Sequence, residues 1–136
     1  YTKFTMKNNF FKSVEYLYYL SLTSLLILYL FPGSLIGYFL YDNLGKQPNL
    51  VNNPIGTSIN HLFYFIYLSA LGSVIRLRNK KWVNSFQFLL FISILLELTH
   101  YFIPSRAFEY NDLFANSAGV IGVFILSSLF RKKNIK

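Results

Sequence analysis

Glu97, His100, Arg106, Glu109, Asp112 and Asn116 fall within twenty residues, in the stretch LLELTHYFIPSRAFEYNDLFANSAGVIG, where most of the other side chains are Leu, Ile, Phe or small. Their types allow three kinds of chemistry. A carboxyl beside an imidazole can move a proton, since burial raises a carboxyl pKa and a nearby guanidinium lowers it, so Glu97 with His100 or His61 forms a candidate acid/base pair. An arginine with Asn and His donors can hold an anionic or hydroxyl-rich group, and here Arg106 would take the anion while His100 and Asn116 supply hydrogen bonds. Histidines with a carboxylate can bind a metal, and His61, His100 and Glu97 are possible zinc donors in type. The Glu97-x-x-His100 spacing is also that of di-iron carboxylate bundles, but those need a second copy and two further carboxylates that this chain lacks. No metal is assigned and no cofactor is expected. The HExxH, GxSxG and Gly-rich phosphate motifs are missing, so hydrolase and nucleotide-binding classes have no support and the catalytic assignment goes no further than Glu97, His100 and His61.

Such groups need positioning elements, and composition says what those are. Of 136 residues, 54% are hydrophobic, 20% aromatic and 13% charged, whereas soluble domains carry about a quarter charged residues. The apolar residues gather into long runs with no polar face, which points to lipid as their solvent. Spanning the hydrocarbon layer takes roughly 20 apolar residues in a helix. Four segments approach that length, at about 14–31, 59–75, 82–103 and 113–130. The expected fold is therefore all-α: one membrane domain over 1–136, built as a bundle of four transmembrane helices. Pro32 and Gly33 interrupt the first run, so 34–41 is expected as a kinked extension or a short interfacial segment. The stretch DNLGKQPNLVNNPIGTS, 42–58, reads as an irregular external loop. No cleaved signal peptide is expected, and the native start is expected at Met6 or upstream. The absence of cysteine excludes disulfides, thiolate metal sites and thiol catalysis.

Orientation follows from the Lys and Arg residues. Lys3, Lys7 and Lys12 precede the first span, Arg76, Arg78, Lys80 and Lys81 separate the second from the third, and Arg131, Lys132, Lys133 and Lys136 follow the fourth; that places eleven of the thirteen basic residues on one side. The positive-inside rule then puts both termini in the cytoplasm. The net charge of +8 is accounted for by topology and anionic headgroups, with no nucleic-acid partner.

In this topology the opening stretch becomes a hairpin on the outer side, turning at about 104–111. Glu97 and His100 share one helix face, and Asp112, Asn116 and Gly119 share another. At 1.5 Å per residue, Glu97 lies about 9 Å below the end of its span and Asn116 about 5 Å below the start of the next, so the two reach similar depth. Ala115 with Gly119, and Ala118 with Gly122, form small-xxx-small pairs that let a neighbouring helix approach. A carboxylate in the membrane costs roughly 2.5–3.5 kcal/mol, so Glu97 needs a partner, and Arg106 is expected to fold back and bridge Glu97 and Asp112. His61 opens the second span on the same side, with Tyr64 and Tyr67 one and two turns further in.

The order Glu97-x-x-His100, Pro104, Arg106, then Asp112-x-x-x-Asn116-x-x-Gly119-x-x-Gly122 resembles the signature of the VanZ-like family of small membrane proteins, with His100 where that family has Gln. His61 and Tyr64 resemble its His and Tyr in the second span, although Thr57 and Ser58 stand where an Asp-Lys pair is usual and Tyr64 comes one residue early. The resemblance covers about 59–130. It implies a multi-pass protein of the bacterial cytoplasmic (inner) membrane, part of the cell envelope, and a link to antibiotic resistance, since the family is named for a member associated with low-level resistance to teicoplanin, a lipoglycopeptide. A non-enzymatic protein whose outer cluster of His61, Glu97, His100, Arg106, Asp112 and Asn116 binds a membrane lipid, a lipid-linked glycan or a lipoglycopeptide is the first expectation. An accessory subunit of a larger membrane complex and a membrane-embedded acid/base enzyme are the alternatives. Transport has less support, because no inverted repeat or pair of broken helices is visible.

Overall fold

Each long apolar run contains a helix. The structure, a computed structural model, describes residues 2–48, 54 and 56–133. Five helices follow one another: α1 Thr2–Leu30, α2 Leu35–Tyr41, α3 Ser58–Arg76, α4 Phe86–Thr99 and α5 Tyr110–Lys133. No strand occurs among the described residues. Asn8–Leu30, Ser58–Arg76 and Tyr110–Arg131 are long and apolar enough to cross a membrane, while α4 has 14 residues. The third expected segment, 82–103, is not one helix. Trp82–Asn84 forms a 3-10 turn, Ser85 then takes an extended conformation and its Oγ accepts from Phe88 N at 3.1 Å, and α4 starts only after this cap. A serine that satisfies an orphaned N–H at a helix start is a strong boundary. At the other end the chain leaves α4 at His100, ahead of Pro104 and a left-handed Ser105 with φ of 62°.

The break after α1 is physical as well. Pro32 disfavours helical backbone in Phe31, and Gly33 takes φ of 90°, which a side chain would resist. Leu35–Tyr41 therefore forms a separate helix, α2, in place of a kinked extension. Ser34 Oγ caps α2 by accepting from Gly37 N at 2.9 Å, and Asp42 closes it in the left-handed region. Ser34 N donates to Leu44 O at 2.6 Å, and the chain passes so close over α2 that a Cβ on Gly37 would lie 1.6 Å from the carbonyl oxygen of Lys46. Of the expected external loop, 49–53 and 55 lie outside the described residues.

α1 runs antiparallel to α3, as Tyr64 Oη donating to Ser21 O at 2.8 Å and Lys81 pairing with Glu15 both require. α3 and α5 run parallel: Ser58 meets Asp112 at one end, and two turns on Gly119 faces Leu62, Phe65 and Ile66. α4 returns antiparallel to α5, with Phe86 against Phe124 and Asn116 beside Ser93. The core contains Tyr18, Leu25, Phe65, Leu68, Leu89 and Val120, and the polar Ser69, Ser93, Glu97 and Asn116 are equally buried. The outside is the apolar part: Leu20, Ile27, Phe63, Phe91, Phe114, Ile125 and Phe130 are all exposed. Large apolar surfaces of this kind are disfavoured in water and natural in lipid, so the chain is a membrane protein with at least these three apolar helices as candidate spans.

Candidate functional site

At the end of the molecule where α1 and α4 stop and α3 and α5 begin, Tyr29, Ser58, His61, Glu97, His100, Asp112 and Asn116 meet. Helix periodicity places them: Glu97 and His100 lie one turn apart on α4, Asp112 and Asn116 one turn apart on α5, and Ser58 and His61 one turn apart on α3. Glu97 is 0% exposed and His100 3%.

Tyr29, near the C-terminal end of α1, is the hub. Its hydroxyl donates to Asn116 Oδ1 at 2.8 Å and is also hydrogen-bonded to His61 Nδ1. Its ring stacks on His100, centroids 5.3 Å apart, and stands edge-on to His61 at 5.2 Å. Its carbonyl accepts from His100 Nε2 at 3.3 Å. The hydroxyl has one proton, and that proton goes to Asn116, so His61 Nδ1 must be the donor in the second bond. Asn116 is held in this orientation by Nδ2 donating to Ser93 O at 3.5 Å. His61 Nε2 then faces Asp112 Oδ2 at 3.5 Å, while Asp112 Oδ1 accepts from Ser58 Oγ. Glu97 Oε1 accepts from Glu109 N at 3.0 Å and lies 3.3 Å from His100 Nδ1. His100 is thus held at both ring nitrogens, Nε2 by the Tyr29 carbonyl and Nδ1 by the Glu97 carboxyl group. Glu97 Oε2, buried, has no hydrogen-bond partner among the described residues.

Arg106 does not bridge Glu97 and Asp112, contrary to expectation. Its Nε donates to Phe31 O at 3.2 Å and its Nη2 to Leu28 O at 2.6 Å. The reason lies in α1: the break at Pro32 and Gly33 leaves the last carbonyls of that helix without intrahelical donors, and an arginine fork satisfies two of them. Burial lowers the Arg106 pKa, an effect opposed by Tyr29, Glu97 and Asp112 nearby, and the guanidinium remains charged. Glu109, on the rim, has its carboxyl pKa raised by burial and by Asp112 and Glu97.

Two cavities adjoin the cluster. One, of about 180 Å³, has an apolar wall from Leu25, Leu28, Leu35 and Ile36 and ends at His61 and Arg106. The other, of about 300 Å³, is polar and bordered by Ser34, Thr57, His100, Arg106, Glu109 and Asp112. Ser34, Gln47 and Arg106 belong to both.

The structure thus brings His61, Glu97, His100, Asp112 and Asn116 together and places Arg106 beside them. Glu97 and Asn116 are not bonded to each other; Tyr29 and Ser93 take the amide. As donors for a metal, Asp112 groups with His61 and Glu97, with one donor atom from each within 4.8 Å of the others, while both ring nitrogens of His100 are engaged elsewhere. Of the small-residue pairs, Ala115 is buried and Gly119 lies where a Cβ would come within 2.8 Å of Leu62 O, whereas Ala118 is exposed and a Cβ on Gly122 would meet nothing within 4 Å. Tyr64 and Tyr67 reach α1 at Ser21, below the cluster. Sequence reasoning missed Tyr29 and Ser58. Tyr29 had one available signal, its place a turn before the helix-ending Pro32, at the same end of the bundle as the other polar residues. Comparison of the chain with protein-family models, with curated proteins and with solved structures gives no match.

Proposed function

We propose that this chain is a VanZ-like, multi-pass protein of the bacterial cytoplasmic membrane that binds the headgroup of an amphiphile on the outer side: a membrane lipid, a lipid-linked glycan or a lipoglycopeptide. The observation that carries it is the junction of two unlike cavities at Arg106. An acyl chain suits the leucine-walled cavity and a polar headgroup the other. Two N–H groups of Arg106 are committed to carbonyls of α1, and the rest of its fork is free among the described residues for an anionic oxygen. In this proposal α4 serves as the fourth span. Its 14 residues cover about 21 Å, and the turns on either side supply the remainder of the crossing. Both termini are cytoplasmic, because Arg76, Arg78, Lys81 and Arg131 lie at the end opposite the cluster.

The deciding experiment is native mass spectrometry of the protein extracted gently from its own membrane. A retained amphiphile that is lost from a folded Arg106→Ala variant is the expected result. A bare chain that also fails to bind added anionic lipid or teicoplanin would overturn the proposal. Additional protein subunits would favour the accessory-subunit alternative. For topology, Ser105→Cys is a single-cysteine variant at an exposed turn, and it should react with an impermeant thiol reagent in intact cells; labelling only after lysis would reverse the orientation. The Glu97–His100 contact favours a second function, a membrane-embedded acid/base enzyme. Glu97→Gln should abolish any turnover found, and turnover that survives would exclude Glu97 as the base.

A further inference from the structure

Three side chains at the centre of the cluster share one arrangement. Each has one polar atom tied to a neighbour and a second left for something between them. His61 Nδ1 is tied to the Tyr29 hydroxyl, Asp112 Oδ1 to Ser58 Oγ, and Glu97 Oε1 to Glu109 N. The remaining atoms are His61 Nε2, Asp112 Oδ2 and Glu97 Oε2. His61 Nε2 and Asp112 Oδ2 face each other at 3.5 Å, and one donor atom from each of the three residues lies within 4.8 Å of the others. With its Nδ1 proton on Tyr29, neutral His61 turns the Nε2 lone pair on a carboxylate oxygen, two acceptors face to face. Glu97 Oε2 is fully buried without a partner among the described residues. Arg106, the only nearby guanidinium among the described residues, gives two N–H groups to Leu28 and Phe31 and is hydrogen-bonded to none of these three side chains.

Protons solve only part of this. An extra proton on His61 would make an ion pair with Asp112, but a proton on Glu97 Oε2 would turn an unpartnered acceptor into an unpartnered donor. One divalent cation answers all three atoms at once. We infer that His61, Glu97 and Asp112 bind a first-row divalent transition-metal ion, with Tyr29 and Ser58 orienting the ligands. The donor set sorts the metals: Ca²⁺ prefers six to eight oxygens and Mg²⁺ an octahedral, water-rich shell, whereas one imidazole with two carboxylates suits Zn²⁺, Mn²⁺ or Fe²⁺. Bonds of about 2.1 Å in a tetrahedral shell hold donors about 3.4 Å apart, close to the 3.5 Å between His61 Nε2 and Asp112 Oδ2, and one donor atom from each residue lies within 4.8 Å of the others. Hydrogen bonds to the non-ligating atom of each ligand are the usual outer shell of such sites, fixing the imidazole tautomer and the carboxylate orientation. The inference does not depend on any amphiphile in the cavities.

The test uses the full chain, free of any histidine tag, stripped with chelator in detergent and titrated with Zn²⁺ and with Co²⁺ as a coloured probe. One ion per chain is expected, with visible Co²⁺ bands displaced by Zn²⁺. Glu97→Gln and Asp112→Asn, checked for helix content, should weaken binding at least about tenfold, as should Tyr29→Phe. Glu15→Gln, at the far end, should leave it unchanged. X-ray absorption on the Zn²⁺-loaded wild-type chain needs no variant to fold, and a single imidazole in an otherwise oxygen shell is expected. A folded wild-type chain that takes up no stoichiometric Zn²⁺, Co²⁺ or Mn²⁺ overturns the site. So does a shell without imidazole, or undiminished binding in folded Glu97→Gln.

Discussion

The two ends of the helix bundle carry charge in opposite ways. At the end holding Lys81, the cations are on the surface: Lys81 pairs with Glu15 at 3.0 Å with the two side chains 51% and 30% exposed, and Arg76 and Arg78 donate to the carbonyls of Lys81 and Asn8. At the end holding Tyr29, two acids and His100 are buried, His61 is half-buried beside them, and each is held in one orientation by a neighbour. The number of charges therefore does not mark the functional end. An exposed pair in high dielectric is weak and mobile, and its value lies in topology, whereas a buried pair has lost its hydration and depends on its geometry. Only the second can hold a ligand in a fixed pose.

Breaking that contrast should begin at Asp112. Asp112→Ala leaves the Ser58 hydroxyl without its charged acceptor and His61 Nε2 without the group it faces, and the loss should lower stability by about 3 kcal/mol in detergent denaturation. Gly119→Val should cost about 2–3 kcal/mol, because its Cβ would meet the backbone of α3 at Leu62 and Ile66. Forcing α3 from α5 separates Ser58 from Asp112 yet leaves Lys81 beside Glu15, so the damage should appear at one end only, as faster hydrogen exchange there. Tyr29→Phe removes the hydroxyl alone and leaves Asn116 Oδ1 and His61 Nδ1 unpartnered, for a loss of about 1–2 kcal/mol.

Smaller effects sharpen the comparison through pH. Because the folded state raises the Glu109 pKa, ionising Glu109 opposes folding above that raised value, and the penalty vanishes below the ordinary carboxylate range. Glu109→Gln should therefore give a slight rise in Tm near neutral pH that disappears on acidification; a rise that persists at low pH would contradict this origin. At the other end, the hydrogen bond to Glu15 raises the Lys81 pKa above 10.5. Its contribution is present throughout neutral pH and is lost only in strong alkali. Glu15→Gln should leave Tm at neutral pH unchanged within error.

The sequence was informative where the physics is local or periodic. Long apolar runs fix α1, α3 and α5, since lipid requires every backbone group to be satisfied within the segment. Residues one turn apart share a face, so Glu97 with His100 and Asp112 with Asn116 could be paired from spacing. The start of α4 was harder, because the capping Ser85 lies inside a run that hydropathy alone treats as continuous. For Arg106 charge alone favours a carboxylate, but the carbonyls orphaned at the end of α1 compete for the same fork and take it.

By itself, then, the sequence determined an all-helical membrane protein, the uneven distribution of its basic residues, and the side chains that had to find partners away from lipid. Only the tertiary structure decided which partners those were. Tyr29, Ser58, His61, Glu97 and Asp112 come from four helices, and whether an acceptor faces a proton, a guanidinium or a second acceptor depends on distances of an ångström or less. Such distances are set by how closely helices pack, as at Gly119 against Leu62, and by where a helix stops, as at Pro32. Neither quantity is a property of any one stretch of chain.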